Sequence, residues 1–380
     1  MKKRSVIVTT GTRADYGILR PILDEIKNSH KLDLKLIVTG SHFLKEYGMT
    51  VNQIKKDGYE ITAKIINIPK TDSKFESTKI LGQTIIEFSK IFKKLKPDIN
   101  VILGDRDEML ASAIAAYHMN IPNAHIHGGD KSGGLDEYTR HAITKLSNIH
   151  FAATKKSANR ILKMGEKPQV IFHTGSPSID EIIKDKITKI HELKKKYDAK
   201  IVDNEILLVQ HPVTTETEET ENQINETLKA IIKLQKNTII IGGNIDPGNQ
   251  IIHKKIKQFI NKYDFIHFYP TLPRNDYLGF LKNCKVLVGN SSSGIIEASF
   301  FGIPVINIGI RQNKREHGKH VINVKQFDKK LIYKALLKAK RMKHSPNSSL
   351  YGNGNASKKI IKILETIKID DNLIKKQIFY

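Results

Sequence analysis

Short apolar runs alternate with amphipathic helical patterns along the whole 380-residue chain. Runs such as SVIVTT and DINVIL have the length of buried strands, and stretches such as ADYGILRPILDEIKN place apolar residues three and four positions apart. Strands that are separated by helices pair in parallel, because each helical connection returns the chain to the same end of the sheet. The sequence therefore predicts an α/β protein built from parallel βαβ units.

The length of the chain predicts two domains. A single hydrophobic core rarely serves 380 residues, so we expect two doubly wound domains that face each other across a cleft. The first domain is predicted over residues 1–178 and the second over residues 179–356. A last helix within residues 357–380 is expected to pack back on the first domain.

Composition narrows the possible functions. The only cysteine, Cys284, excludes an internal disulfide, and its apolar neighbours predict a buried thiol. Lysine and arginine (63) outnumber aspartate and glutamate (39), and the formal charge of +24 suits an anionic partner. The lysines are spread over amphipathic helices and no nucleic-acid-binding motif occurs, so a solvated basic surface is favoured over a nucleic-acid-binding protein. No apolar run approaches the roughly 18 residues of a membrane span, which predicts a cytoplasmic protein without a membrane partner.

Polar and glycine-rich segments follow the predicted strands. GTRADYG follows SVIVTT, GDRDE follows DINVIL, HGGD follows NAHIH, HPV follows ILLVQ, and NSSSG follows KVLVG. Doubly wound domains bind their ligands outside the carboxyl ends of the strands, so these segments are the expected ligand site.

No nucleotide cofactor is expected from the glycine pattern. GTRADYG lacks the glycine spacing of a dinucleotide fingerprint, and no phosphate-binding P-loop sequence occurs. A diphosphate could instead be held by guanidinium groups, which bind its oxygens in pairs. The arginines that follow predicted strands are Arg13, Arg106 and Arg311, for which surface salt bridges are the alternative.

The segment GNSSSGIIEASF places Ser291 and Ser292 between a buried strand and a predicted helix. Backbone amides and hydroxyl groups at a helix start bind phosphate, although a serine there can also simply cap the helix. Glu297 lies one turn into the same helix. Its carboxylate could satisfy the first amides of the helix or accept hydrogen bonds from two ribose hydroxyls.

Carboxylates and histidines follow two further strands. Asp105 comes directly after DINVIL, and a carboxylate beside an arginine at the mouth of a buried strand is a candidate acid or base. In NAHIHGGD, the period of two places His125 and His127 on one strand face, as two metal ligands would be. No third ligand of suitable spacing is evident, so we favour a sugar-binding site over a metal site. Asp136 and Arg140, one helical turn apart, belong to this predicted sugar-binding site.

Seven segments together resemble the hydrolysing UDP-N-acetylglucosamine 2-epimerase family. They are, in chain order, GTRADYG, VTGSH, GDRDEMLAS, HIHGGDKSG, LDEYTRHAITKLS, QHPVT and GNSSSGIIEASFFGIPVINIGIRQ. The resemblance implies a glycosyltransferase-B-like fold of two Rossmann-like domains, with UDP held mainly by the second domain and the sugar lying toward the first. It also implies conversion of UDP-N-acetylglucosamine and water into N-acetylmannosamine and UDP, through a glycal, on the route to sialic-acid-like sugars.

The same resemblance implies roles for the matched residues. Ser291, Ser292 and Arg311 would hold the diphosphate, Glu297 would hold the ribose, and Arg13 and Arg106 would lie near the phosphates and the sugar respectively. The residues implied around the sugar are His42, Asp105, Asp136, Arg140 and His211. The candidate acids and bases are Asp105, His127, Asp136 and His211, and the sequence leaves open which is which. We expect neither a metal nor a cofactor, and a homodimer or homotetramer.

His127 is a departure within the resemblance. Many members of the family carry glutamate there, and HIHGG resembles a branch that includes enzymes acting on UDP-N,N'-diacetylbacillosamine. The spacing from HIHGG to LDE is that of the N-acetylglucosamine branch, so UDP-N-acetylglucosamine is the expected substrate. UDP-N,N'-diacetylbacillosamine and a glycosyltransferase of the same fold are the alternatives.

Overall fold

A computed structural model of the protein describes residues 3–68, 73–133, 135–184, 186–197, 206–213, 215–242, 248–344 and 350–380. The chain divides into two compact units. The first unit consists of Met1–Asp130, Asp136–Ile183 and Tyr351–Tyr380, and the second of Lys131–Leu135 and Lys184–Leu350. Within the described residues, no helix combines the length and the apolar character that crossing a membrane requires.

One parallel sheet forms the centre of the first unit. Its strands are β1 Arg4–Thr10, β2 Leu32–Thr39, β3 Ile61–Ile65, β4 Ile99–Leu103, β5 Asn123–Ile126, β6 Ile149–Ala152 and β7 Ile171–His173. They are ordered β3-β2-β1-β4-β5-β6-β7 across the sheet. The chain changes the direction in which it adds strands between β1 and β4, and doubly wound domains bind ligands beside such a reversal.

A second parallel sheet forms the centre of the second unit. Its strands are β8 Ile206–Val209, β9 Thr238–Ile241, β10 Ile266–Tyr269, β11 Val286–Gly289, β12 Val305–Ile308 and β13 Val321–Val324. They are ordered β10-β9-β8-β11-β12-β13, so the reversal here lies between β8 and β11. The predicted fold class of two Rossmann-like α/β domains is confirmed.

Helices connect successive strands in both units. They are α1 Arg13–Asn28, α2 Val51–Lys56, α3 Lys74–Leu95, α4 Asp107–His118, α5 Leu135–Leu146, α6 Lys155–Lys163, α7 Pro177–Lys184, α8 Ile190–Lys196, α9 Thr220–Leu234, α10 Asn249–Ile260, α11 Arg274–Asn283, α12 Glu297–Phe301, α13 Lys329–Lys340, α14 Ala356–Thr366 and α15 Asp371–Ile374. Central strands are apolar on both faces because helices cover both, and every residue of β4 and β8 is buried.

The C-terminal segment belongs to the first unit. Ile360 and Leu364 of α14 are fully buried in the same core as Leu19 of α1. The carboxylate of Asp180 in α7 accepts hydrogen bonds from the amides of Ala356 (3.0 Å) and Ser357 (2.6 Å). These bonds hold α7 to the first turn of α14. The first unit therefore continues to Ile183 and resumes at Tyr351, rather than ending after residue 178 and resuming at residue 357.

A buried network of charged side chains joins Lys376, near the C-terminus of the described chain, to Glu166 and to His150 of β6. The side chain of Glu166 is 3% exposed, and it accepts hydrogen bonds from Lys145 Nζ at 2.5 Å and Lys376 Nζ at 2.8 Å. His150 Nε2 lies 3.2 Å from the same carboxylate. Burial by itself raises the pKa of Glu166, but the hydrogen bonds from His150, Lys145 and Lys376 lower it to about 2. Glu166 is therefore ionised in the folded protein at neutral pH.

We predict that Glu166→Gln lowers the free energy of unfolding at pH 7 by about 1–3 kcal/mol, because hydrogen bonds to a charged group are lost. The folded pKa of Glu166 lies below its ordinary 4.5, so its contribution is present above pH 4.5 and is lost as the pH falls toward 2. Urea unfolding of both proteins at neutral and acidic pH measures this. The control is Asp371→Asn, because the pair of Asp371 with Lys375 is exposed at the surface. Equal stability of Glu166→Gln and wild type at neutral pH would contradict the prediction.

Candidate active site

The strand ends of the first unit meet in a closely packed corner beside the β1/β4 reversal. Ser41 N donates to Gly11 O at 2.9 Å, which joins the segment after β2 to the segment after β1. Gly40 has a φ of 62°, and a Cβ atom on it would lie 2.5 Å from Gly11 O and 2.7 Å from Glu108 Oε1. Gly40 is therefore required by both its backbone conformation and the lack of space.

Asp105 and Arg140 form an ion pair on this edge of the sheet. Asp105 follows β4, and its carboxylate bonds to the guanidinium of Arg140, one turn into α5. The side chain of Arg140 is 3% exposed and also donates to Asp130 O at 2.9 Å. A guanidinium that is bonded on two sides holds the Asp105 carboxylate in a fixed direction. Asp136, half-buried in the first turn of α5, precedes Arg140 by one turn.

His125 contacts the segments that carry Asp105 and Arg140. Its ring is fully buried, with Nε2 2.7 Å from Gly104 O and Nδ1 3.2 Å from Thr144 Oγ1. Thr144 Oγ1 in turn lies 2.9 Å from Arg140 O. Burial lowers the pKa of His125 to about 3, so the ring is neutral and Nε2–H donates to the carbonyl that precedes Asp105. His125 thus connects the backbones on which both members of the ion pair lie.

His127 lies just beyond the end of β5, in a different backbone conformation from His125. β5 ends at Ile126, and His127 has a φ of 64°, a left-handed conformation that is uncommon for residues other than glycine. Its side chain is nearly buried, and Nε2 lies 2.9 Å from Ser176 Oγ. The prediction that His125 and His127 share one strand face is wrong, because the left-handed residue ends the alternation. Among the described residues, no group of three or more histidines, cysteines or carboxylates is arranged to hold a metal ion.

Arg106 lies between two carboxylates. Its Nε and Nη2 donate to Glu108 at 3.2 and 3.5 Å, and Asp15 Oδ2 is 4.0 Å from Nε. Asp15 Oδ2 is buried and has no hydrogen-bond partner among the described residues. Burial raises the pKa of Asp15 to about 6, with Arg106 opposing the shift and Glu108 adding to it. Asp15 could not be recognised from the sequence, because an acidic residue in the first turn of a helix usually only complements the helix dipole.

His42 is fully buried at the end of β2. Its Nε2 lies 3.0 Å from Thr10 Oγ1 and its Nδ1 lies 2.7 Å from Thr50 Oγ1. Burial lowers the pKa of His42 to about 3, and the positive charges of Arg106 and Arg13 contribute. The structure therefore places Arg13 and Arg106 close enough to act on a neutral His42. The position of the sugar relative to His42 stays a prediction.

In the second unit, Asn290 joins the two strand ends at the β8/β11 reversal. Its side chain accepts from His211 N at 2.7 Å and donates to His211 O at 2.9 Å, so it holds the His211 backbone by two bonds. Gly289 has a φ of 130°, and a Cβ atom there would lie 2.0 Å from Val209 O. His211 is a predicted site residue, whereas the role of Asn290, which fixes the His211 backbone, was not predicted.

Arg311 lies beside the serine segment. Arg311 Nη1 and Gln312 Nε2 both donate to Asn290 O, at 3.3 and 3.2 Å. Ser291 Oγ accepts from Ser293 N at 3.3 Å and caps a short 3-10 turn, Ser292–Gly294. The predicted helix start at the serines is therefore wrong: α12 begins only at Glu297 and has five residues, too few for a strong dipole.

Glu297 is paired with Arg274, a residue that was not predicted from the sequence. Its Oε1 accepts from Arg274 Nη2 at 2.8 Å, and the Glu297 side chain is 5% exposed. Arg274 begins α11, where its guanidinium also lies over the Tyr277 ring at 5.7 Å. The Tyr277 hydroxyl bonds to Ser293 Oγ, so α11 supports both the glutamate and the serine segment.

We predict that Asp15→Asn stabilises the protein at pH 8 by about 1–3 kcal/mol and leaves stability at pH 4 nearly unchanged. The folded pKa of Asp15, about 6, lies above its ordinary 3.8, so ionisation becomes costly in the folded state as the pH rises through 6. The amide is neutral at every pH and removes this cost. Thermal unfolding across this pH range measures the effect, with Asp33→Asn as control because the Asp33 side chain is 46% exposed. An Asp15→Asn variant that is less stable at pH 8 than wild type would contradict the prediction.

Comparison with known proteins places these features in one family. A family model described as UDP-N-acetylglucosamine 2-epimerase matches residues 24–365. A UDP-N,N'-diacetylbacillosamine 2-epimerase (hydrolyzing) of Legionella pneumophila is 38% identical, over 98% of this chain and 98% of its own length. A UDP-N-acetylglucosamine 2-epimerase of Neisseria meningitidis serogroup B is 35% identical, over 88% of this chain and 87% of its own length.

A solved structure shows the same fold. The crystal structure of UDP-GlcNAc 2-epimerase from Neisseria meningitidis bound to UDP-GlcNAc has a TM-score of 0.80 with this chain. The match covers 95% of this chain and 99% of that protein, at 22% sequence identity. The implied glycosyltransferase-B-like fold class is confirmed, and none of these matches supports a nucleic-acid-binding protein.

Proposed function

Because the chain belongs to the UDP-N-acetylglucosamine 2-epimerase family, we propose that it is a hydrolysing epimerase, which converts UDP-N-acetylglucosamine and water into N-acetylmannosamine and UDP. The observation that carries this proposal is that β4 and β5 pair up to their carboxyl ends, where Asp105 and His127 follow. Gly104 N donates to Ile126 O at 3.0 Å, so the residues that directly follow them begin side by side. A carboxylate and an imidazole on adjacent strand ends are the groups that proton transfer at a sugar carbon requires.

The reaction has two steps. In the first, a base removes the proton from C2 of the sugar, the bond between C1 and the phosphate oxygen breaks, and UDP leaves with the electron pair. A glycal with a C1–C2 double bond remains. In the second step, the water oxygen bonds to C1 while a base takes one of the water protons, and an acid delivers a proton to C2 on the opposite face. Asp105, His127, Asp136 and His211 are the proposed acids and bases, and Arg106 and Arg140 are the cations proposed near the sugar.

The nucleotide is assigned to residues of the second unit. Arg311, Ser291 and Ser292 are proposed to hold the diphosphate, supported by the two side-chain bonds that gather Arg311 and Gln312 at Asn290 O. Glu297 is proposed to accept hydrogen bonds from the ribose, and its bond to Arg274 orients the carboxylate for this. Arg13 of the first unit is proposed to bind phosphate. Positive charge at the diphosphate favours departure of UDP, because negative charge develops there as the C1–O bond breaks.

A second candidate substrate is UDP-N,N'-diacetylbacillosamine. The relative that is 38% identical over almost the full chain is named for this sugar. His127, which stands where many members of the family carry glutamate, favours the same branch. The two sugars undergo the same chemistry at C1 and C2, so the choice between them leaves the proposed mechanism unchanged.

Product analysis in deuterated water tests the proposed function. We predict that incubation with UDP-N-acetylglucosamine gives UDP and N-acetylmannosamine with one deuterium at C2, because the C2 proton is replaced from solvent. Asp105→Asn is expected to lower the rate by about 10²–10⁴, as loss of an acid or base does. NMR of the product sugar and a coupled assay for UDP measure both. The control is Asp98→Asn, whose carboxylate bonds to Ser5 N at the opposite end of β1.

The outcomes separate the alternatives. Retention of the C2 proton in an inverted product would exclude elimination. A requirement for an acceptor sugar would identify a glycosyltransferase of the same fold. Turnover of UDP-N,N'-diacetylbacillosamine in strong preference to UDP-N-acetylglucosamine would establish the second candidate substrate. Absence of turnover with either sugar would contradict the proposed function.

We predict that the double substitution Ser291→Ala, Ser292→Ala weakens UDP binding by about 1–3 kcal/mol, because two hydroxyl contacts to the diphosphate are lost. Isothermal titration calorimetry with UDP measures the affinity. The matched control is Ser89→Ala in α3, a serine whose hydroxyl donates to Ile85 O within its own helix. Unchanged UDP affinity of the double variant would mean that the serines serve the backbone only, as Ser291 does when it caps the 3-10 turn.

A further inference from the structure

Ser176 lies in the turn after β7, where three parts of the first unit meet. Its side chain is fully buried. Its amide donates to Tyr351 O at 2.7 Å, which joins the turn to the residue where the chain returns to the first unit. The preceding Gly175 has a φ of 88°, and a Cβ atom there would lie 3.0 Å from the same carbonyl oxygen. The backbone on both sides of Ser176 is therefore held in place.

Two groups lie within hydrogen-bond distance of the Ser176 hydroxyl: the amide of Ser178 and the ring of His127. Ser178 N donates to Ser176 Oγ at 3.3 Å, and His127 Nε2 lies 2.9 Å from Ser176 Oγ. A buried hydroxyl hydrogen almost always has an acceptor. Among the described residues, His127 Nε2 is the acceptor within reach of Ser176 Oγ. The hydroxyl therefore donates to Nε2, and this nitrogen carries a lone pair rather than a hydrogen.

This direction of the hydrogen bond selects one form of the imidazole. A neutral histidine carries its hydrogen on one ring nitrogen only, and the bond made by one nitrogen decides the form of the other. With Nε2 accepting from Ser176, the ring hydrogen lies on Nδ1. The opposite tautomer would point Nε2–H at Ser176 Oγ and leave the buried hydroxyl hydrogen without that acceptor.

We propose that Ser176 is a positioning residue for His127, which fixes the ring orientation and the tautomer with hydrogen on Nδ1. This inference rests on the proposed function, in which His127 is one of the groups at the reacting sugar, and it narrows the role of His127 to that of a hydrogen-bond donor. In this neutral form Nδ1 has no lone pair, so His127 donates a hydrogen bond to the substrate through Nδ1–H while Nε2 stays bonded to Ser176, and the proton at C2 is left to the other candidate acids and bases, Asp105, Asp136 and His211. The left-handed backbone of His127 and the fixed backbone of Ser176 set the two ends of the bond, so its geometry does not depend on a mobile side chain.

The tautomer can be measured in the unsubstituted protein. Nitrogen chemical shifts of isotope-labelled histidine distinguish a ring nitrogen that carries hydrogen from one that does not. The signals of His127 are identified by their loss in a His127→Gln variant. We expect hydrogen on Nδ1 and an unprotonated, hydrogen-bonded Nε2. Hydrogen on Nε2 in the wild-type protein would overturn the proposal, and this measurement needs neither turnover nor a change at Ser176.

Substitution tests the effect on the reaction. Ser176→Ala is expected to lower kcat by about 10- to 100-fold, as loss of a group that orients a reacting side chain does, and to leave KM and UDP affinity within about twofold. The His127 signals of this variant are expected to show a mixture of tautomers. The matched control is Ser147→Ala, a fully buried serine whose hydroxyl donates to Ile143 O near the amino end of β6.

The results distinguish this inference from the proposed function. An active wild type with unchanged kcat and unchanged His127 signals in Ser176→Ala would overturn the positioning role. Loss of UDP affinity together with kcat would identify Ser176 as a general structural residue and would equally overturn it. Absence of turnover by the wild type would contradict the proposed function, while the tautomer measured in the wild type still decides whether Ser176 directs the ring.

Discussion

Parallel pairing of buried strands is the constraint on which the candidate site depends. Because neighbouring strands run in the same direction, every segment that follows a strand leaves the sheet at the same edge. In the first unit this brings Asp105 and His127 onto adjacent strand ends, and in the second it brings His211 next to Asn290. Glycines make the arrangement possible where backbones approach closely, since any side chain at Gly40 or Gly289 would overlap a carbonyl oxygen.

Buried polar residues next to the candidate acids and bases hold them in position. His125 bonds to the carbonyl before Asp105 and to Thr144 near Arg140, and Asn290 holds the backbone of His211 at two points. These residues are buried and hydrogen-bonded, so they orient the candidate groups rather than react themselves. In a low-dielectric interior such networks are rigid, because an unbonded polar group there is costly. A small number of candidate acids and bases is then sufficient, because the buried residues around them fix their positions.

The central strands and the positions of most candidate residues could be predicted from sequence, because strands covered on both faces have a continuous apolar signal. β3 and β13 were not predicted. Both lie at a sheet edge with one buried residue each, Ile65 and Val324, and a polar residue interrupts the short apolar run, Lys64 in β3 and Asn323 in β13. Asp105 could be recognised from its place directly after a buried strand. Asp15, Ser176 and Arg274 could not, because each acquires its role from a residue that is distant in sequence, as Ser176 does from His127.

The return of the C-terminal segment to the first unit has a consequence for the order of folding. The core around α1 includes Ile360, Leu364 and Leu373, which are synthesised more than 300 residues after α1 itself. The second unit, by contrast, is nearly continuous in sequence and all of it precedes that segment. During vectorial synthesis the second unit can complete its core while the first still exposes the groove that α14 fills. Completion of the first sheet's core is therefore tied to residues that are synthesised after the whole of the second unit.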